Sequence, residues 1–226
     1  GVYNQVGSEA RRENVFDNTT QPAATRYPAG SDYQTYALYA NLEHGVGSDW
    51  TFNLGGRYTY VHLNADLTGN ADFYPLPFDR IDLNTGALNG HAGVVYNPAN
   101  GWRYRLNAST GFRAPNIDDV GKVFDSEPGR VVVPNDNLSP EYSGNIELGI
   151  SKRWEDRARV SLTGYVTQVR DAMVRRAKSF NGRDSIFYDG ELSETQAIQN
   201  ASSSLIYGGS FNARVALSPS WRLRGK

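Results

Sequence analysis

Along several long stretches of the chain, apolar and polar residues alternate at almost every step. Residues 33–44 place Tyr36, Leu38, Ala40 and Leu42 on one parity. Residues 50–63 set Trp50, Phe52, Leu54, Gly56, Tyr58 and Tyr60 against Thr51, Asn53, Gly55, Arg57 and Thr59. Residues 87–96 carry Leu88, Ala92, Val94 and Tyr96 on one side. The clearest segment opposes Trp102, Tyr104, Leu106, Ala108, Thr110 and Phe112 to Arg103, Arg105, Asn107, Ser109 and Arg113. Residues 141–154 alternate Tyr142, Ile146, Leu148 and Ile150 with Ser143, Asn145, Glu147 and Ser151, and residues 158–170 carry Val160, Leu162 and Val166. A period of two is the mark of a β-strand whose two faces meet different surroundings. Two further strands are expected at about 198–217 and from 221 onward.

The connections alternate as well. Short turns lie at 45–49, 97–101, 155–157 and 218–220. Long polar loops are expected at about 64–86, 115–140 and 171–197, the last with strand extensions around Met173–Val174 and Ile186–Tyr188. Residues 1–30 read as a loop. Trp50, Trp102, Trp154 and Trp221 each sit beside a short turn. The indole is apolar in body with one polar N–H, so tryptophans at one end of a set of strands look like a membrane-interface belt. Short turns at one end and long loops at the other are the rhythm of outer-membrane barrels.

A soluble β-sandwich also alternates. Its strands usually run about five or six residues, whereas these run roughly 12 to 14, enough to cross a bilayer when tilted. Arg57, Arg103, Arg105 and Arg113 share the polar parity of their strands. An arginine facing lipid at mid-bilayer costs about 2–4 kcal/mol, so that parity faces the lumen. The predicted fold is all-β: part of an antiparallel up-and-down transmembrane β-barrel, roughly eight or nine strands of a larger one.

Composition agrees without deciding. The mean hydropathy of the 226 residues is -0.55, which a barrel tolerates because alternate residues face the lumen. The net charge of -1 offers no patch for nucleic acid, and the absence of cysteine removes disulfides and thiolate metal sites. The chain has no initiator methionine, and Trp221–Lys226 reads as a strand just starting. An internal piece of a larger protein is the expectation.

Two motifs carry a family resemblance. Phe112-Arg113-Ala114-Pro115-Asn116 ends a strand and enters a long loop. Asn135-Asp136-Asn137-Leu138-Ser139-Pro140-Glu141 leaves that loop for the next strand. The pair resembles the Phe-Arg-Ala-Pro and Asn-Pro-Asn-Leu boxes of TonB-dependent outer-membrane receptors, most closely the haem and haemoprotein branch. From about residue 31 onward most of the chain is similar to the barrel of these receptors. The resemblance implies a 22-stranded barrel with a plugged lumen. It implies capture of an iron-bearing ligand at extracellular loops and import energised through TonB, which would contact a plug absent from residues 1–226. It also implies outer-membrane lipid as surroundings.

Candidate site residues follow from both sources. Arg113, on lumen parity, has a fork that matches a carboxylate or phosphate; alternatively both boxes order a loop at the barrel rim. Haem needs an axial His or Tyr, and receptors of the haem branch are expected to carry a histidine between the boxes. None lies between Arg113 and Asn137. His62, beside Tyr58 and Tyr60, is the best remaining ligand candidate, with Tyr60 next to it. His91 faces the lumen, and His44 abuts a short turn. Asp118, Asp119, Asp125 and Glu127 form an acidic loop without the spacing of a calcium site. No nucleophile elbow, phosphate loop or His-Glu-x-x-His is present, so no enzyme, no resident metal and no cofactor are expected, haem entering only as cargo. Two other functions stay open: a siderophore receptor of the same superfamily, and a passive or structural outer-membrane barrel.

Overall fold

A computed structural model of the chain describes residues 1–71, 73, 76–155, 157–200, 203–218 and 220–226, leaving aside the side chain of Ser126. The elements run β1 (Val2–Gln5), β2 (Arg11–Glu13), β3 (Thr20–Pro22), β4 (Asp32–Val46), β5 (Trp50–Asp66), β6 (Arg80–Tyr96), β7 (Trp102–Arg113), α1 (Ile117–Val120), β8 (Phe124–Glu127), β9 (Arg130–Val132), β10 (Glu141–Trp154), β11 (Ala158–Arg170), β12 (Met173–Ala177), β13 (Ser185–Tyr188), β14 (Glu191–Asn200), β15 (Ser204–Ala216) and β16 (Arg222–Gly225). One sheet holds nine strands in the order β1-β4-β5-β6-β7-β10-β11-β15-β16, each antiparallel to its neighbours. Sequence neighbours pair across short turns, as the up-and-down reading expects. Among the described residues no helix is long and apolar enough to cross a membrane, a fact silent on crossing by strands.

The turns explain the tight pairing. Gly101 adopts φ +81°, and a Cβ there would run into the carbonyl oxygen of Arg153. Arg153 N–H in turn donates to the Gly101 carbonyl at 2.9 Å. A side chain at this position would strain the backbone and part the β6–β7 turn from the end of β10.

The outward face of the sheet is apolar across the strands. Leu54 lies between Leu42 and Ala92, Leu148 opposite Leu106, and Ile146 between Ala108 and Val166. Leu38 is 79% exposed and Leu88 76%. An apolar surface this continuous is not left to water; it suits lipid. At the short-turn end the rings of Trp50 and Tyr96 (4.4 Å between centroids), Tyr96 and Tyr104 (6.1 Å) and Tyr104 and Trp102 (5.8 Å) stack into a row. The Lys152 ammonium lies over Trp102 at 5.2 Å, as an interfacial cation does when its stem runs along apolar surface.

Four expectations of loop are corrected. β5 continues to Asp66 and β6 starts at Arg80, so the loop at 64–86 shrinks to residues 67–79. The reason is an exchange of polarity between the faces. Beyond Tyr60 the inward parity turns apolar, with Val61, Leu63, Ala65 and Ile81 buried. The outward parity turns polar, pairing His62 with Asn84 and Asn64 with Asp82. Here the inner face of the strands packs a core with Leu67, Ile117, Val120 and Leu138. The loops at 115–140 and 171–197 build a second sheet, β12-β14-β9-β8 with β13 on β14, in which β12 and β13 are the strand extensions expected around Met173–Val174 and Ile186–Tyr188. Its β9–β14 pairing is parallel, and Val123, Val131, Val133, Phe180, Ile186 and Ala197 pack its core. Residues 1–30 hold β1, which extends the large sheet, and the β2–β3 hairpin. The strand expected at 198–217 is two elements, since β14 belongs to the small sheet and ends at Asn200.

Candidate ligand-binding site

Both sequence boxes lie at the long-loop end, where the small sheet meets the inner wall. Pro115 is fully buried and closes β7, having no N–H for a ladder. Asn116 then caps α1: its side chain accepts from Asp119 N–H at 3.0 Å, and Asp119 accepts from Asn116 N–H at 3.0 Å. That reciprocal pair satisfies two amides a short helix cannot satisfy itself. The Arg113 guanidinium reaches the Asp119 carboxylate at 2.9 and 2.8 Å and Glu141 at 3.4 Å. Asp119 keeps only 9% of its side chain exposed.

The second box ties the same region to the small sheet. Asn135, almost fully buried, donates its backbone N–H to the Val120 carbonyl at 2.9 Å and its side-chain amide to the Ile198 carbonyl at 2.7 Å. Asn137 N–H donates to the Asn135 side chain at 3.1 Å, and the Lys178 ammonium donates to the same oxygen. Burial holds Lys178 below the ordinary lysine pKa, against the opposing pull of Asp136. Leu138 packs beside Ile117 and Val120. Pro140 is half-buried just before Glu141 enters β10. The two boxes thus form one roof over the inner wall.

Beneath the roof lies a cavity of about 890 Å³, lined among others by Tyr27, Tyr33, Arg57, Asn89, Arg113 and Ile117. Such a volume lies in the range of small-molecule sites. Arg57 donates to Thr59 Oγ1 at 3.1 Å and forms no ion pair among the described residues. It is a cation with donors to spare beside two phenols.

The structure separates the candidates read from sequence. Arg113 lines the cavity with its fork already committed to carboxylates. His91 lies on the inner wall in a lower hollow of about 330 Å³ with Asn41, Arg57, Asn89 and Ser109. Its ring covers Gly55, where a Cβ would collide with it. Tyr60 and His62 lie on the outward parity. The Tyr60 hydroxyl donates to Asn84 Oδ1 at 2.9 Å, and His62 Nδ1 is 2.7 Å from the same oxygen and 3.8 Å from Asp82. Of the acidic loop, Asp118 pairs with Lys122 at 2.7 Å, Asp119 with Arg113, and Glu127 with Arg130 at 3.1 Å. Sequence reasoning placed Arg57 on the lumen face without assigning it a site, and it passed over Tyr27 and Tyr33. Only the parity of Tyr33 with Thr35 and Ala37 could have flagged that residue as inward.

A family model described as TonB dependent receptor-like, beta-barrel matches residues 2–226. The chain belongs to this family. The barrel fold read from the alternation is therefore that of TonB-dependent receptors, which are transporters rather than enzymes and hold no cofactor of their own. The chain is similar, at 27% identity over 124 residues, to the Haemophilus influenzae protein named "Probable hemoglobin and hemoglobin-haptoglobin-binding protein 4", covering 55% of this chain and 12% of that one. Among solved structures it resembles the Serratia marcescens hemophore receptor HasR, in complex with its hemophore HasA and heme. There the TM-score is 0.67 and the identity 15%, over 88% of this chain and 34% of that one. It also resembles the copper transporter OprC, with TM-score 0.70 and 14% identity over 95% and 31%. A third is the ferric yersiniabactin uptake receptor FyuA of Yersinia pestis, with TM-score 0.56 and 17% identity over 86% and 26%. These likenesses at low identity concern the fold. The chain spans about a third or less of the length of these relatives.

Proposed function

We propose that this chain is the barrel portion of an outer-membrane receptor that imports an iron-bearing ligand, with haem or a haemoprotein as the favoured cargo. On this reading the outward apolar face meets outer-membrane lipid, and TonB acts through a plug domain outside residues 1–226. The observation that carries it is the cavity of about 890 Å³ holding the uncommitted Arg57 beside Tyr27 and Tyr33. A phenolate is a ligand for ferric haem iron, and a guanidinium fork matches a propionate carboxylate. A relative whose name states hemoglobin binding supports the same cargo. His91 and Arg113 are the proposed inner-wall contributors from the sequence reading. His62 and Tyr60, on the outward face, would serve only a ligand held outside the lumen.

The resemblance to a ferric yersiniabactin receptor supports a second cargo, a ferric siderophore. The deciding experiment is a haem titration of the whole protein in detergent, read by the haem absorbance band, on wild type and on Tyr33→Phe, Arg57→Gln, His62→Ala and His91→Ala. Saturable binding weakened at least about tenfold by an inner-wall variant and untouched by His62→Ala supports the haem reading. Absence of saturable binding in the wild type overturns it and leaves the siderophore.

A further inference from the structure

The wall of the large sheet is not closed along its whole height. β6 pairs with β5 as far as Asp66 opposite Arg80, and β7 pairs with β10 as far as Arg113 opposite Glu141. Between β6 and β7 the ladder runs only from Tyr96 opposite Tyr104 to His91 opposite Ser109. Continuing that register would set Gly90 against Thr110 and Leu88 against Phe112, but these residues form no pair. A side chain takes the missing rung. The Thr110 hydroxyl accepts from Gly90 N–H at 2.9 Å and donates to the Gly90 carbonyl at 3.4 Å. A side chain set between two main chains holds them further apart than the ladder spacing of about 4.8 Å. Beyond it the strands part. Leu88, Gly86, Asn84 and Asp82 share the parity of Gly90, so their N–H and C=O groups also turn toward β7. Among the described residues no strand meets them on that side.

This seam begins in the apolar zone of the outward face. Leu88 stands in one row with Tyr58 and Leu38, and the Phe112 ring lies 5.8 Å from that of Tyr142. An open sheet edge at such a depth is tolerated only where it lines a cavity. The cavity beneath the roof reaches both lips: Asn89 on β6, and Thr110, Gly111 and Phe112 on β7. It also takes in Arg57 and Thr59 on the inner wall, with Val61 and Ala114 as apolar lining. Phe112 has lipid-facing parity and Arg57 lumen-facing parity, so one cavity extends from the inner wall to the lipid-facing lip.

We propose that this cavity takes a single-chain carboxylic amphiphile sideways from the outer leaflet. The acidic head lies on Arg57, and the acyl chain leaves between the Leu88 and Phe112 side chains. A guanidinium without an ion pair matches a carboxylate, and Thr59, Asn89 and Thr110 surround the head with hydrogen-bonding groups. The lips carry free main-chain donors beside apolar side chains, which suits a molecule with one acidic and one apolar end. A pure hydrocarbon would leave the donors unmet, and a small anion would make no use of Leu88 and Phe112. The proposal rests on the barrel orientation and not on an iron-bearing cargo.

The test uses the whole protein in phospholipid nanodiscs. A long-chain fatty acid carrying a diazirine midway along its chain is photolysed, and the labelled peptides are located by mass spectrometry. Labelling should saturate and concentrate on residues 86–90 and 110–114. Palmitate should compete and butyrate should not, and Arg57→Gln should weaken labelling at least about tenfold. Labelling spread evenly over the lipid-facing strands overturns the proposal, since that is bulk membrane contact. Equal competition by butyrate overturns it too, because Arg57 is then a small-anion site, as does unchanged labelling of Arg57→Gln. Saturable haem binding without fatty-acid labelling would sink this proposal and leave the haem reading standing.

The seam is also tested without any ligand, in a chain that has no cysteine of its own. Ala92→Cys/Ala108→Cys, on the last outward rung of the ladder, should form a disulfide on mild oxidation. Leu88→Cys/Phe112→Cys should stay reduced, because cysteines whose Cα atoms lie more than about 7 Å apart do not bridge. Equal crosslinking of the two pairs means a closed wall and overturns the proposal.

Discussion

Arg113 and Asp119 are joined by a two-pronged contact, 2.9 and 2.8 Å, between the last residue of β7 and the third residue of α1. Since the Asp119 side chain is 9% exposed, removing its partner leaves a nearly buried carboxylate uncompensated. Hydrogen bonds to charged groups are worth about 1.5–3 kcal/mol. Arg113→Gln should cost roughly that, concentrated in the roof rather than spread over the barrel. Arg113→Lys should recover only part, because both contacts to Asp119 come from one guanidinium nitrogen while the other faces Glu141 at 3.4 Å, and a single ammonium does not span both carboxylates in that way. Limited proteolysis of the 115–140 segment checks this. Equal protection in wild type and Arg113→Gln would show that the pair does not hold the loop.

The lipid-facing assignment is tested in the middle of β10. Leu148 points outward opposite Leu106, 51% exposed, while the next residue inward, Gly149, lies beside the Arg105 guanidinium. Leu148→Arg should lose about 2–4 kcal/mol of stability in bilayers, and Ser109→Arg, on the lumen parity, much less. Urea unfolding in lipid vesicles gives both numbers. Equal costs would remove the distinction between the faces.

Within the membrane the fold was legible because lipid on one side and a polar lumen on the other make parity visible. Leu54 against Arg57 is enough to assign the faces. Beyond Tyr60 that contrast inverts, and Asp82, Asn84 and Gly86 on the outward parity read as loop although β6 runs straight through them. The small sheet was hidden for another reason. Its parallel ladder joins Val131 to Thr195, far apart in sequence, and three-residue strands leave no periodic trace. The boxes around Arg113 and Asn135 were visible as motifs, but their partners Asp119 and Ile198 are properties of the folded roof. The outward direction of His62 could have been read from its parity with Leu54 and Tyr58. Arg57, by contrast, gains its meaning only from the cavity above it.

Asn135 is the joint between α1 and the small sheet. Asn135→Ala removes the donor to Ile198 and the acceptor of Asn137 N–H and Lys178. Leaving such groups unpaired costs about 1–3 kcal/mol. Hydrogen exchange should show faster opening at Val120, Val133 and Ile198 with the membrane strands unaffected. Uniform acceleration across the sheet would instead place Asn135 in the global fold.

Lys178 gives the roof a pH dependence. Burial lowers its pKa in the folded state below the ordinary value of 10.5. Between the two values the unfolded roof holds the proton and the folded roof has released it. Stability therefore rises with pH across that window and is flat below it. Local opening followed by proteolysis should slow as pH increases toward 10.5, and Lys178→Met should abolish the slope. A slope of opposite sign in the wild type would mean that the contact with Asn135 outweighs burial.

His91 can be displaced without touching it. The atoms that a Cβ on Gly55 would meet are the ring of His91 and the amide of Asn41, both ends of movable side chains on the lumen face. Gly55→Ala should therefore leave the sheet folded, with unfolding changed by less than about 1 kcal/mol, while pushing the imidazole off the backbone. If His91 contributes to haem binding, Gly55→Ala and His91→Ala should weaken it by similar factors. The double variant should then add nothing to either, since both act through one side chain. Two variants that bind like the wild type would remove His91 from the site and leave the cavity at Arg57, Tyr27 and Tyr33 as the place where cargo is held.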